Sequence, residues 1–557
     1  MINHRTSWWG KAQQHMMWLI PLGVFFFYLV LIAWQKGLVD STDGLMHYAF
    51  ARHGFSHPEG LVNHWAKPLF TLIACLPAQA GPQGIALLNA LLIALASYWT
   101  LRSARQLNLG AYALAPLLLV ASNGLSYVVL GGLTEPLFIA GFSLAIHSAL
   151  RQRWSLAMCI AGALVIVRPE AIVVLPGMGL WALISRQGLK VLHAAWIPLI
   201  YTLVGVTLFG KDLTWILSDQ PYGGQGAVYG QGLWTHYLTH WQAFTSFSVL
   251  ALAILGLAQS LRLGMRALRW IGAMAIGILL LHASLWAFGS MGSAGLPRTL
   301  TTSLPALILL AVAGLEWVSK SQHRHAIYWL VALITLGVFI INNPYPKALS
   351  DQESAAISLA ESLKDHGHFH GQKVAFQYAA IGHYLNIDPF DDSKGMKLYH
   401  VNAFRPSLSL TLGDLIIHDN VTGHIEGGLL LQTLKADNRL LALDSVQIGH
   451  SNLYAFACID SQNDTILQVG PEQTTSIHKP HVELLKLPAN HPWSSHDSLH
   501  IHVAAADADQ LELFIDGKGQ MLSLPLDSSL VMPTSDWYMV IHSSKPYPLE
   551  SVTVIAD

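Results

Sequence analysis

Eleven apolar runs of spanning or near-spanning length fill the first 345 residues of this 557-residue chain. They lie at 16–34, 84–101, 111–130, 133–150, 155–168, 171–184, 191–209, 245–261, 271–288, 299–318 and 326–342. A hydrocarbon core about 30 Å thick takes roughly 20 helical residues to cross. Inside it every backbone polar group must find its partner within the protein. A series of this kind folds as a polytopic helical membrane bundle of about eleven transmembrane helices. Charge supports the reading: 11% of residues are charged and 52% hydrophobic, whereas a soluble domain carries about 25% charged residues. The net charge of -2 gives no basic field for nucleic acid. Cys75, Cys159 and Cys458 are far apart, so neither a disulfide framework nor a cysteine metal cluster is expected.

The first run exceeds a signal-peptide core, and no small-residue cleavage site follows it, so it is expected to stay as an anchor. The runs 155–168 and 171–184 are short and flank Arg168-Pro169-Glu170. A further short piece, Leu69 to Ala80, lies between Pro68 and Pro82 and is expected to be re-entrant or interfacial.

Charge then orients the path. Alternate connections carry Arg5/Lys11, Arg102/Arg105, Arg151/Arg153, Arg186/Lys190, Arg262/Arg266/Arg269 and Lys320/Arg324, which is 13 of the 19 basic residues before position 346. Seven of the eight acidic residues in that stretch fall on the other side: Asp40, Asp43, Glu59, Glu135, Glu170, Asp212 and Asp219. By the positive-inside rule the amino terminus is cytoplasmic. The loops 36–82 and 211–244 and the tail are then extracytoplasmic, in a multi-pass protein of the inner (plasma) membrane.

The tail has a different composition: 25 of the 33 acidic residues lie after position 345. The pattern predicts a helix over Asp351–His366, strands at Lys373–Tyr378 and Ser409–His418, and a helix over Glu426–Leu434. Strands then follow at Leu453–Cys458, Val482–Leu487, Leu499–Ala505, Leu511–Ile515, Gln520–Leu526, Trp537–Ile541 and Val552–Ile555, separated by turns such as Asp516-Gly517. The expected organisation is a membrane domain over 1–345, a small α/β domain over 346–444 and a β-sandwich over 445–557.

Ionisable residues at membrane depth mark functional sites, and here they gather on the outer side. The first outer loop holds Asp40-Ser-Thr-Asp43-Gly-Leu-Met-His47-Tyr48, then Arg52-His53-Gly-Phe-Ser-His57-Pro58, then Asn63-His64-Trp65-Ala-Lys67-Pro68. A carboxylate there can take a proton from an acceptor hydroxyl, and a lysine can hold a phosphate as a point charge. The bland alternative is a polar interfacial loop facing water. Three more pieces lie on the same side: Thr134-Glu135-Pro136 opening a span, Arg168-Pro169-Glu170 between two short runs, and Gly292 to Arg298 before Leu304-Pro305.

Residues Asp40–Pro68 resemble the first periplasmic or lumenal loop of the GT-C glycosyltransferases. That superfamily includes protein O-mannosyltransferases and lipid A aminoarabinose transferases. Its members carry an Asp shortly before an aromatic, here Asp43 before Tyr48, and later a Lys-Pro opening a membrane element, here Lys67-Pro68. The resemblance covers about residues 17–345. It implies inverting transfer of a sugar from a polyprenyl-phosphate donor to an extracytoplasmic glycan, lipid or protein acceptor. It makes Asp43 the catalytic carboxylate, and Lys67, Arg168 and Arg298 the cations for the donor phosphate. Tyr48, His57, His64 and Glu170 become expected substrate contacts. Members commonly show Asp-Asp or Asp-Glu in the loop. This chain has Asp43-Gly44, so Asp40 or Glu135 would have to supply a second acid. The alternative for each arginine is a structural ion pair, such as Arg168 with Glu170 or Glu135.

A divalent metal stays open as a cofactor. His366-Gly-His368-Phe-His370 is a weak metal pattern beside the simpler reading of a solvated loop. Asp414 and Asp419 are a weak second-site pattern beside the simpler reading of turn residues. Asn420-Val-Thr and Asn463-Asp-Thr are glycosylation sequons. Competing functions are a transporter or flippase, which should show midplane charges on broken helices within an internal repeat, and a non-catalytic scaffold. No such repeat is visible in the sequence.

Reporter fusions at Gly110, Gln187 and Gln322 should report cytoplasm, and fusions at Gly60, Gly226 and Gly470 the outside. An external signal at Gln187 or a cytoplasmic one at Gly470 overturns the orientation.

Overall fold

The computed structural model describes residues 8–35, 37–219, 226–319 and 324–459, and the strands between 483 and 556. Arg5, Lys36, Lys320, the sequon at Asn463 and the Asp516-Gly517 turn lie outside the described residues. The chain forms two compact units. The first holds Met1–Ala360 with Tyr378–Asp392 and Ile448–His450, and the second holds Glu361–Gln377, Ser393–Gln447 and Ser451–Asp557.

In the first unit, helix replaces each predicted apolar run over most of its length. Among the described residues six helices are long and apolar enough to cross a membrane: Met17–Trp34, Pro82–Gln106, Gly188–Phe209, Arg266–Ala287, Pro297–Val318 and His325–Asn342. The expected eleven full crossings are therefore not all met by length. Glu135–Leu150, Trp154–Ile166, Ala171–Ile184 and Phe247–Arg262 are shorter apolar helices. The run 111–130 is two helical pieces, Tyr112–Val120 and Asn123–Leu130, bent by 62°. The bend falls at Ser122-Asn123-Gly124, whose polar groups bond elsewhere: the Gly124 amide donates to the Phe244 carbonyl (3.3 Å) and the Asn123 side chain to that of Gln242 (2.8 Å). Apolar composition is blind to such a bend. The piece Leu69–Ala80 becomes the short helix Pro68–Ala78.

The bundle is layered. Within their apolar windows, 78% of Pro297–Val318 and 67% of Pro82–Gln106 is buried, against 11% of Gly188–Phe209 and 17% of His325–Asn342. The first two are central; the last two present apolar side chains outward, as lipid-facing helices do. Helices Phe247–Arg262 and Leu304–Val318 meet backbone to backbone. A Cβ at Gly256 would fall 1.8 Å from the Leu310 carbonyl oxygen, and one at Gly314 2.0 Å from that of Leu252. Small residues permit this approach, and in lipid such close packing, rather than a hydrophobic drive, holds helices together.

Between Asn123–Leu130 and Glu135–Leu150 the backbone opens for four residues. Asn89, buried on the central helix, donates to the Leu133 carbonyl (2.9 Å), and the Val39 amide donates to that of Leu130 (3.1 Å). The break thus receives the loop 37–42, which continues as helix Asp43–Arg52. Segment Tyr378–Asp392 belongs to this same unit and packs on that helix. The expected domain boundary at 345 therefore does not match the packing.

In the second unit, β1 (Val374–Phe376), β2 (Gly395–Met396), β3 (Leu415–Asp419), β4 (Leu440–Ile448) and β5 (Ser451–Cys458) form a sheet in the order β2-β1-β3-β5-β4. β1 runs parallel to β2 and β3, while β3 and β5 are antiparallel. The expected boundary at 445 cuts this sheet. The strand predicted at Leu453–Cys458 belongs to it, because Leu415 pairs with Ala457 and Asp419 with Leu453. Helix Asp351–Asp365 matches its prediction. The long strand predicted at Ser409–His418 begins only at Leu415, since Asp414 folds back to accept from the Thr411 amide and hydroxyl (both 2.8 Å). The predicted helix over Glu426–Leu434 is instead Leu431–Ala436, with a turn of helix at Thr422–Ile425.

Beyond these, β6 (Glu483–Leu487), β7 (Leu499–Ala505), β8 (Gln510–Ile515), β9 (Met521–Leu524), β10 (Asp527–Leu530), β11 (Trp537–His542) and β12 (Leu549–Ala556) make two sheets, β10-β7-β12 and β6-β11-β8-β9. Their pairings are antiparallel. Gly314→Ala should cost about 1–3 kcal/mol, the usual cost of overpacking, read as a lower thermal midpoint in detergent. Gly337→Ala, where an added Cβ meets nothing within 4 Å, should leave it unchanged.

Candidate active site

Asp40 is the hinge of the site. Its Oδ1 accepts from the Thr42 amide (3.1 Å) and hydroxyl (2.9 Å) and from the Gly44 amide (3.1 Å), capping helix Asp43–Arg52. Its Oδ2 accepts from the Tyr127 hydroxyl (2.9 Å) and from Arg298. Burial alone would raise the Asp40 carboxyl, but the Arg298 guanidinium and these donors win and hold it below the usual carboxylate range. Asp43 opens the helix and accepts from the other arm of Arg298. The two acids differ in access: the Asp40 side chain is 3% exposed and that of Asp43 is 41% exposed.

The absent second carboxylate beside Asp43 now has a steric cause. A Cβ on Gly44 would lie 1.9 Å from the Gly131 carbonyl oxygen. The helix start is pressed on the open backbone after Leu130, so position 44 cannot carry a side chain. Asp40, four residues before Gly44, is the carboxylate that joins Asp43 on Arg298.

A second network adjoins the first. Arg168 Nη1 meets Glu135 Oε1 at 3.1 Å and donates to the Thr134 hydroxyl at 2.9 Å, while its Nε and Nη2 donate to Glu170 (3.1–3.2 Å). His282 Nε2 donates to Glu170 Oε1 at 3.1 Å. The ion pair open to Arg168 with Glu135 or Glu170 is made with both. Burial opposes ionisation of Glu170, yet Arg168 and His282 lower its carboxyl to about 2. The two networks feel each other, because Glu135 acts on Arg298 and Arg298 on Arg168.

Lys67 is buried and precedes Pro68 at the start of the short helix, with φ 60 and ψ 78. A non-glycine residue in the left-handed region is strained, and a residue before proline normally takes extended backbone. Its charge reaches the site through His47. That imidazole is buried against Trp65, with ring centroids 5.0 Å apart, and against Phe70. Burial, then Lys67, Arg168 and Arg298 in that order, lower His47 to about 3, so it is neutral at physiological pH. Its Nδ1 has no partner among the described residues.

The structure therefore gathers Asp40, Asp43, Glu135, Glu170, Arg168 and Arg298, with Lys67 in electrostatic reach. It does not bring Tyr48, His57 or His64 to them. The Tyr48 hydroxyl accepts from Arg52 (2.5 Å), and its ring meets that of His383 edge-on. Asp388 accepts from His53 (2.9 Å) and His57 (3.1 Å). Both contacts hold segment Tyr378–Asp392 on the helix. His64 stacks on Trp215 and donates to the Asp219 carbonyl (2.7 Å).

Sequence reading left His47, Tyr127, Thr134 and His282 without a role. His47 was legible as the residue four after Asp43, on the same helix face. His282 was legible as a lone imidazole inside an apolar run. Tyr127 carried no signal. Among the described residues no three His, Cys, Asp or Glu side chains gather as a metal site. His366 bonds to Ser362 (3.1 Å), and Asp419 caps the turn at Thr422.

Neither protein-family models nor curated protein sequences match this chain. Solved structures do. ArnT from Cupriavidus metallidurans in the apo state aligns with a TM-score of 0.55 at 13% identity, over 80% of this chain and 98% of ArnT. ArnT bound to undecaprenyl phosphate aligns at 0.49 and 12% identity over the same shares. A mutant of the arabinofuranosyltransferase AftD from Mycobacteria aligns at 0.45 and 11%, over 96% of this chain and 61% of AftD. The likeness to apo ArnT is one of fold.

Arg168→Met should destabilise the folded protein by about 3–5 kcal/mol, because it strands two buried carboxylates; a thermal midpoint within error of wild type refutes the pairing. Glu170 also sets an acid limb. Its folded carboxyl lies below the unfolded value, so its stabilisation is present above pH 4.5 and is lost as pH falls toward about 2. Thermal midpoints measured from pH 6 down to pH 3 should fall less steeply in Glu170→Gln.

Proposed function

We propose that this chain is a membrane glycosyltransferase that moves a sugar from a polyprenyl-phosphate donor to an extracytoplasmic acceptor. The observation that carries the reading is the unequal pair at the first outer loop. Asp40 is buried and fully bonded, while Asp43 is partly open, with one oxygen anchored by Arg298. Asp40 positions, and Asp43 acts. The GT-C fold supports the class.

In this mechanism an acceptor hydroxyl approaches Asp43, which takes its proton. The hydroxyl oxygen forms a bond to the anomeric carbon as the bond from that carbon to the phosphate oxygen breaks. The electron pair leaves with the polyprenyl phosphate, and configuration inverts. Lys67, at the start of a short apolar helix and at the depth of a lipid headgroup, stabilises the leaving phosphate. The two guanidiniums are already committed to carboxylates. Arg298 holds Asp43, and Arg168 fixes Thr134 and Glu135. Their expected part in phosphate binding becomes one of positioning, and Glu135 and Glu170 serve Arg168 rather than the substrate. The amino terminus is cytoplasmic and the site extracytoplasmic.

The test is release of polyprenyl phosphate by purified protein in liposomes from a panel of undecaprenyl-phosphate sugars. Asp43→Asn should lower the rate by about 10²–10⁴-fold, the usual contribution of a positioned base, with the protein folded. Near-normal turnover moves the role to Asp40. Lys67→Ala should raise the apparent KM for donor, with only partial rescue by Lys67→Arg, because the two cations differ in shape and reach. An unchanged KM and rate leaves Lys67 an interface residue.

A further inference from the structure

The second unit carries polar groups that its own fold does not use. Strands β2, β1 and β3 are parallel and end side by side, with Lys397 following β2, Gln377 following β1 and His418 near the end of β3. In open α/β sheets ligands bind outside the carboxyl ends of the strands. Here three buried polar atoms at that edge have no hydrogen-bond partner among the described residues: Lys397 Nζ, Gln377 Oε1 and His418 Nδ1. Buried polar atoms are nearly always bonded, so three orphans on one edge need a cause.

Their chemistry is specific. His418 Nε2 donates to the Leu429 carbonyl at 2.8 Å, so in the neutral ring Nδ1 carries the lone pair and accepts. Burial lowers His418, which keeps it neutral. Gln377 turns its amide nitrogen to Glu426 (3.4 Å) and leaves its oxygen as an acceptor. The Lys397 ammonium lies 5.6 Å from the Phe376 ring centre and feels the Glu426 carboxylate. Burial pushes Lys397 down to about 8, with Glu426 opposing. Two acceptors call for hydroxyl donors, and one desolvated cation calls for an anion.

We infer that the carboxyl edge of β2-β1-β3 is a second binding site, separate from the membrane site, for a sugar bearing an acidic group. Sugar hydroxyls donate to Gln377 Oε1 and His418 Nδ1, and a phosphate or carboxylate accepts from Lys397. That this sugar is the acceptor of transfer rests on the function proposed above; the site itself does not.

Ligand-observed NMR titration of the full chain in nanodiscs tests it, with glucose 6-phosphate, glucuronic acid, glucose and inorganic phosphate as probes. At least one acidic sugar should bind saturably, and glucose and phosphate each about tenfold more weakly, the worth of one charge-assisted hydrogen bond. Lys397→Met should weaken the acidic sugar by about tenfold or more. Gln377→Glu, at a partly exposed position that tolerates change, should repel acidic sugars while sparing glucose. Asp43→Asn should leave all of this binding intact. No saturable binding of either acidic sugar, or equal affinity in both Lys397→Met and Gln377→Glu, overturns the site. Loss of donor turnover with sugar binding retained overturns the transferase reading alone.

Discussion

Two arginines shared among four carboxylates hold this membrane domain in its working shape. Arg298 joins Asp40 to Asp43, and Arg168 joins Glu135 to Glu170. Each of these groups is costly to remove from water, and the cost is met only when every charge is matched. The pairing therefore ties together elements far apart in the chain: the loop carrying Asp40 and Asp43, the helix beginning at Glu135, the turn at Arg168 and the segment before Leu304. None of them could shift alone without leaving a buried charge unmatched.

That constraint explains an asymmetry between the two acids of the first loop. Asp40 spends both oxygens on the helix start, Tyr127 and Arg298, and is sealed in. Asp43 starts the helix and keeps one edge toward solvent. Gly44 makes the arrangement possible, since only a residue without Cβ lets the helix rest on the Gly131 carbonyl. A carboxylate at position 44 is thus excluded by packing, and the carboxylate that shares Arg298 with Asp43 comes from the loop before the helix. The same compact geometry gives His47 three cations for neighbours and keeps it neutral.

The same loop is also held by a later stretch of chain. Tyr378 donates to Ser41 (2.6 Å), Tyr384 to Glu353 (2.7 Å), and Asp388 receives two histidines from the loop. A stretch of chain some 340 residues after Asp40 buttresses the helix that carries Asp43. The tail is accordingly not a detachable module from residue 346 onward, and a cut at Asn343 would remove part of the support of the membrane site.

The sequence by itself determined that the chain is a helical membrane protein with an acidic tail of different composition. Apolar runs and charge distribution are local properties that hydration energy alone sorts. It also singled out Asp40, Asp43, Lys67, Glu135, Arg168, Glu170 and Arg298, because charges beside apolar runs are expensive and stand out. Only the tertiary structure decided which of them meet. Pairing depends on helix crossings, on the bend at Ser122–Gly124 and on the close approach at Gly44, none of which leaves a periodic trace. For the same reason Tyr48, His57 and His64, plausible by type and place, turned to other partners. Tyr127 and His282 entered through contacts between elements 87 and 112 residues apart.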